Sequence, residues 1–247
     1  MSPRPLLIDA GWRLALFALA LALVTLGLAY LGGLGARGVL VALIAYGLIA
    51  AGIVAGLAYH PYRRFGAANA VTLARATYTA LLIGVLGDGA ATLGDSGRWA
   101  LAAAGAGALV LDGLDGWLAR RSRLESAFGA RFDMESDALF VLALSALVYR
   151  SGQVGPWVLT TGLMRYMFVL AGYLWPALAA PLPPSQRRKV VCVILIVAML
   201  VALAPWVGAP MARGLCLAGL ALLVYSFGAD CVRLAAASRG RGAPAPG

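Results

Sequence analysis

The chain has 247 residues, 62% of them hydrophobic and 12% charged, with a formal net charge of +10. Its mean hydropathy of +0.87 excludes an ordinary soluble domain, in which roughly half the residues are apolar. Nucleic acid is not the implied partner of the positive charge, because the arginines fall in the connections between apolar runs.

Those runs recur at roughly 20 residues, the length a helix needs to cross a bilayer. In chain order they predict eight spans, at about 12–31, 38–59, 68–87, 99–119, 129–149, 155–178, 189–207 and 212–234. The first apolar stretch, Leu14 to Leu31, is longer than the roughly 7–15 residues of a signal-peptide core, so a retained helix is expected there. The turn HPYRRFG at 60–66 then divides two spans with almost no polar residues from six that hold nearly all the candidate chemistry. The expected architecture is an all-α polytopic membrane bundle: an accessory hairpin over 1–59, a six-helix core over 60–236, and a tail over 237–247 of disordered composition. Glycines inside the spans, such as Gly105 and Gly107, are expected to serve close helix packing.

With the N-terminus inside, the cytoplasmic segments hold thirteen basic residues: Arg4, Arg13, Arg63, Arg64, Arg120, Arg121, Arg123, Arg187, Arg188, Lys189, Arg233, Arg239 and Arg241. The opposite side has four, Arg37, Arg98, Arg150 and Arg213. That asymmetry predicts cytoplasmic termini. Arginine outnumbers lysine nineteen to one, a bias of GC-rich genomes, so the expected location is a bacterial inner membrane. Cys192, Cys216 and Cys231 stand singly in apolar runs and read as core residues, and His60 beside Pro61 reads as an interfacial polar residue.

The stretch Asp112 to Asp137 holds six of the ten acidic residues. Asp112 and Asp115 are three residues apart and Asp133 and Asp137 four, so within each helix the two side chains share a face. Gly116 and Ala119 follow the first pair and Gly129 precedes the second, which leaves open volume beside the acids. The linking turn is short and basic, so all four aspartates are expected near one membrane face. A buried, unpaired aspartate in hydrocarbon costs at least ~2.5–3.5 kcal/mol, and four facing one another cost more, so positive charge must lie between them. Arg75, Arg131 or Arg165 could supply it, as could a proton or cation pathway. Carboxylate oxygens at this density also suit Mg²⁺ or Mn²⁺, and two such ions sharing four aspartates make a clamp for phosphate oxygens. The small residues and the basic turn favour a phosphorylated ligand.

The spacing DxxDGxxAR, eight residues, GxxxDxxxD, carried by Asp112, Asp115, Gly116, Ala119, Arg120, Gly129, Asp133 and Asp137, resembles the CDP-alcohol phosphotransferase family of membrane enzymes. Asn69, Thr72 and Arg75 are similar to that family's NxxTxxR pattern. The resemblance implies that the four aspartates hold two divalent cations, Mg²⁺ or Mn²⁺, with Asp137 also the base for the acceptor hydroxyl. It implies that Thr72, Gly116, Ala119, Arg120 and Gly129 contact the cytidine nucleotide. By the same likeness Arg165, Arg188, Lys189 and Arg233 become candidates for the acceptor, readable equally as helix-end anchors apart from Arg165, which lies inside a span. The implied reaction moves a phosphatidyl group from CDP-diacylglycerol, or another CDP-alcohol, to a small polar alcohol with release of CMP. Glycerol 3-phosphate or inositol phosphate is the favoured acceptor; phosphatidylcholine or phosphatidylserine synthesis, or an ion or proton transporter built on the aspartates, are the alternatives. The accessory hairpin offers a surface for a homodimer.

Overall fold

The computed structural model describes residues 4–88, 94–122, 126–175 and 185–241, with the backbone alone described at 4, 111–122 and 236–241. Its helices are α1 (Arg4–Tyr30), α2 (Ala36–Gly56), α3 (Ala67–Gly87), α4 (Asp95–Ser122), α5 (Ala127–Arg150), α6 (Leu159–Leu174), α7 (Gln186–Leu203) and α8 (Ala209–Arg241), with no strand among the described residues. Single 3₁₀ turns at Leu57–Tyr59 and Pro156–Val158 follow α2 and precede α6. This is the expected polytopic helix bundle. Among the described residues five segments are long and apolar enough to cross a membrane: Pro5–Tyr30, Ala36–Tyr59, Ala67–Gly87, Pro156–Leu174 and Ala209–Ala235. Helices α5 and α7 carry more charge than such a segment, and α4 is described by backbone alone over its last turns. Helix α4 starts four residues before its expected span at about 99, and α8 runs on to Arg241.

Polar contacts at the helix ends show an up-and-down arrangement. Beyond the end of α3, Asp88 accepts hydrogen bonds from the backbone N–H groups of Gly35 (2.8 Å) and Gly38 (3.3 Å), so it caps the start of α2 from outside. Near the start of α1, Asp9 accepts from the Phe65 N–H at 2.8 Å, just ahead of α3. Arg98 of α4 donates to the carbonyl of Leu203 at the end of α7 (3.0 Å), and the Gln153 side chain, between α5 and α6, donates to the carbonyl of Val207 (2.9 Å). Each helix therefore runs against its neighbour in sequence.

Two apolar cores meet along α3. One joins Leu6, Ala10 and Leu14 of α1 and Tyr46 and Ile53 of α2 to Leu73 of α3, together with Phe65 and Phe128. The other joins Leu82 of α3 to Phe140 and Leu144 of α5, Leu195 and Met199 of α7, and Cys216 of α8. Around them Ile8, Trp12, Leu19, Leu48, Leu170 and Tyr225 stay exposed, as a lipid-facing surface requires. Lipid tails are as apolar as leucine, so association in a bilayer relies on close approach at small residues. A methyl group on Gly84 would lie 2.6 Å from Ala42 Cβ, one on Gly162 2.4 Å from Leu142 Cα, and one on Gly105 2.3 Å from Leu200 Cδ2. Gly107 departs from the packing expectation, since nothing lies within 4 Å of its position. The three cysteines are free, with Cys216 buried.

Candidate active site

Helix α3 starts from a backbone that only glycine adopts readily, with φ 88° and ψ 158° at Gly66. From there Asn69, Thr72 and Arg75 succeed one another at intervals of three, and all three are buried. The Asn69 amide donates to the carbonyl of Phe65 (2.5 Å), and the Thr72 hydroxyl to that of Ala68 (3.2 Å). These bonds use the polar side chains locally and hold the first turns of α3 against its own entry.

Helix α5 is started by Ser126, whose hydroxyl accepts from the Gly129 N–H at 3.0 Å. The same hydroxyl lies 3.3 Å from His60 Nδ1, while His60 Nε2 lies 2.9 Å from the carbonyl of Arg64. A carbonyl can only accept, so Nε2 carries the proton and Nδ1 accepts from Ser126. His60, which the sequence left without a role, thus ties the turn ahead of α3 to the start of α5. Gly129 lets the two helices approach: a Cβ there would lie 2.8 Å from Asn69 Oδ1 and 3.2 Å from Ser126 Oγ. Because the Asn69 amide is held by Phe65, the clash has little room to relax. Replacing Gly129 with Val should destabilise the protein by about 2 kcal/mol, within the range for overpacking, and thermal unfolding in detergent checks it.

On this frame Asp133 and Asp137 meet Arg75. The same guanidinium nitrogen, Arg75 Nη2, lies 2.5 Å from Asp133 Oδ1 and 2.8 Å from Asp137 Oδ1. Arg75 is 2% exposed, whereas the aspartate side chains keep 41% and 34% of their surface. The cation is thus enclosed and the carboxylates face an open side. A guanidinium so deep is tolerable only with countercharge, which these two residues supply.

The side chains of Asp112, Asp115, Gly116, Ala119 and Arg120 lie outside the described residues. The backbone there is helical to Ser122, and α5 begins at Ala127 after a link of four residues. Both α4 and α5 pack on α3. Among the described residues no three His, Cys, Asp or Glu side chains come together as a metal site. The described pair nevertheless fits a hard divalent cation, because two carboxylates converge on one positive centre from an accessible side.

The four candidate acceptor residues separate into two places. Arg165 of α6 bonds Glu135 Oε1 at 2.5 Å, on a face of α5 away from Asp133 and Asp137. Arg187 and Arg188 of α7 converge on Asp230 of α8, Arg187 by a short contact through Nη2 and Arg188 at 3.5 Å, and Arg187 also bonds the Ser226 carbonyl at 3.1 Å. Lys189 and Arg233 are exposed. Asp230, 5% exposed, is thus the anchor of the basic group. It was overlooked in the sequence, although a buried acid in the last turns of an apolar span already requires a partner. Asp230→Ala should cost about 3 kcal/mol, the lower end for breaking a buried ion pair because both arginines reach solvent, whereas Asp230→Asn, which still accepts hydrogen bonds, should cost less; paired unfolding curves measure the difference.

The fold and site together define a membrane-embedded helical bundle with carboxylates and a buried arginine gathered at the start of two helices. Over residues 65–226 the chain matches the CDP-alcohol phosphatidyltransferase family, and it belongs to that family. Members are transferases of phospholipid head-group synthesis and depend in general on a divalent metal. Neither the curated proteins nor the solved structures gave a match.

Proposed function

We propose that the protein synthesises a phospholipid by transferring the phosphatidyl group of CDP-diacylglycerol to the hydroxyl of a small polar alcohol. The observation that carries this reading is the convergence of Asp133 and Asp137, each partly open to solvent, on the buried guanidinium of Arg75. Asp112, Asp115, Asp133 and Asp137 are the residues that would hold Mg²⁺ or Mn²⁺, whose charge neutralises the diphosphate. The acceptor oxygen attacks the phosphorus that bears diacylglycerol, the bond to CMP breaks, and Asp137 receives the hydroxyl proton. Thr72, Gly116, Ala119, Arg120 and Gly129 position the nucleotide, so that most of the catalysis is orientation of the two reactants. Cytidine nucleotides are cytoplasmic and diacylglycerol chains lie in the bilayer, so a site at the cytoplasmic end of a lateral opening serves both parts of the donor.

A phosphate on the acceptor would be received at one of two places, by Arg165 or by Arg188 with Lys189 and Arg233, and this favours glycerol 3-phosphate or inositol phosphate over choline or serine. The ion pair of Arg165 with Glu135 uses a guanidinium that has five donors, so a second anion can share the group. The test is CMP release by purified protein given Mn²⁺, CDP-diacylglycerol and serine, choline, inositol, inositol phosphate or glycerol 3-phosphate in turn. Release that depends on a phosphorylated acceptor is expected. Release with choline or serine alone transfers the reading to phosphatidylcholine or phosphatidylserine synthesis, and no release with any acceptor overturns the donor.

A further inference from the structure

A cavity of about 590 Å³ opens between the accessory hairpin and the core, away from the aspartates. Leu48 and Gly52 of α2 and Tyr59 of the 3₁₀ turn after it form one wall, and Phe132 and Leu139 of α5 the other, with Arg131 at the edge. Leu48 and Tyr59 are 70% and 82% exposed, and a methyl group built on Gly52 would meet nothing within 4 Å, so no side chain fills the groove. Glu135 also lines it, but its carboxylate is engaged by Arg165. Arg131, by contrast, is exposed and makes no hydrogen bond or ion pair among the described residues. Arg63 and Arg64, in the turn that follows Tyr59, are exposed as well.

Length and charge identify the occupant. From Leu48 to Tyr59 the groove follows eleven residues of helical chain, about 16 Å at 1.5 Å per residue. That is half of a hydrocarbon core of ~30 Å, hence one leaflet. The apolar end lies at mid-bundle, and the arginine end lies where α2 finishes and α5 starts. We infer that the groove holds one phospholipid of that leaflet, an acyl chain between α2 and α5 and its phosphate at Arg131. Neither Asp133 nor Asp137 lines the groove, so a phosphate at Arg131 is on a different face of α5 from the carboxylates. The occupant is a resident lipid, distinct from any donor of the transfer reaction. The accessory hairpin, on this reading, completes a lipid site that α3 to α8 lack without it.

The experiment uses the full chain in nanodiscs of phosphatidylcholine doped with phosphatidylglycerol, and counts by native mass spectrometry the lipids retained on release. Arg131→Gln removes a charge-assisted contact and should lower retained phosphatidylglycerol about tenfold relative to phosphatidylcholine. Gly52→Leu places a side chain in the open groove and should abolish retention of either lipid. Unchanged count and selectivity in both variants overturns the inference. Because the count needs no turnover, its result stands whether or not the proposed reaction is found. A rise in the KM for CDP-diacylglycerol in either variant assigns the groove to the donor and also overturns it. Should Gly52→Leu fail to fold, Arg131→Gln, at an exposed position, decides alone.

Discussion

Asp137→Asn is expected to lower CMP release by about 10²–10⁴, the range for loss of a general base, with further loss because the same side chain belongs to the proposed metal set. The fold should survive. Asparagine has the shape of aspartate, its Oδ1 can still accept from Arg75 Nη2, and Asp133 continues to balance the buried guanidinium. The open third of the Asp137 side chain is also what lets an acceptor hydroxyl reach it. Glu135→Gln serves as the comparison: that residue stands two positions away, faces Arg165, and should leave kcat within about threefold, which corresponds to well under the 1.4 kcal/mol of a tenfold change. Rates of CMP release from both variants, read beside their melting temperatures, separate chemistry from stability. Undiminished turnover in Asp137→Asn removes that residue from the base role.

The elements and the orientation of the α5 pair were legible because each depends on local periodicity. Apolar runs of bilayer length mark the helices, and a spacing of four places Asp133 and Asp137 on one face whatever surrounds them. What the sequence could not choose was the partner of that face. Arg75, Arg131 and Arg165 were equally available to the acids, being basic residues in or near apolar spans. Tertiary packing assigns them three different positions: Arg75 enters the interior and joins Asp133 to Asp137, Arg165 meets Glu135, and Arg131 lines the groove beside α2. The link from His60 through Ser126 to Gly129 was similarly hidden, because His60 and Ser126 are 66 residues apart and their contact depends on a turn that no periodicity predicts. Asp230 shows the opposite case, a signal that was present but unused: an acid in an apolar run demands a cation, and α7 begins with two arginines.

Arg75→Met should lower stability by about 3 kcal/mol in the absence of divalent metal, and added Mn²⁺ should restore more of the loss than it adds to the wild type. Methionine keeps much of the apolar volume of the arginine stem, so the cost is mainly electrostatic. Removing one partner of a buried ion pair typically costs 3–5 kcal/mol; the lower end applies because Asp133 and Asp137 reach solvent and can be partly hydrated. Left facing each other across one turn, the two carboxylates repel. A divalent cation bound between them supplies the missing charge, so its stabilising effect, set by its affinity for the folded state, is larger where Arg75 no longer competes for the same oxygens. Melting curves of both proteins over a Mn²⁺ titration provide the readout without any substrate. Equal metal-induced shifts would show that Arg75 and the metal do not share Asp133 and Asp137, and would separate the buried ion pair from the proposed catalytic centre.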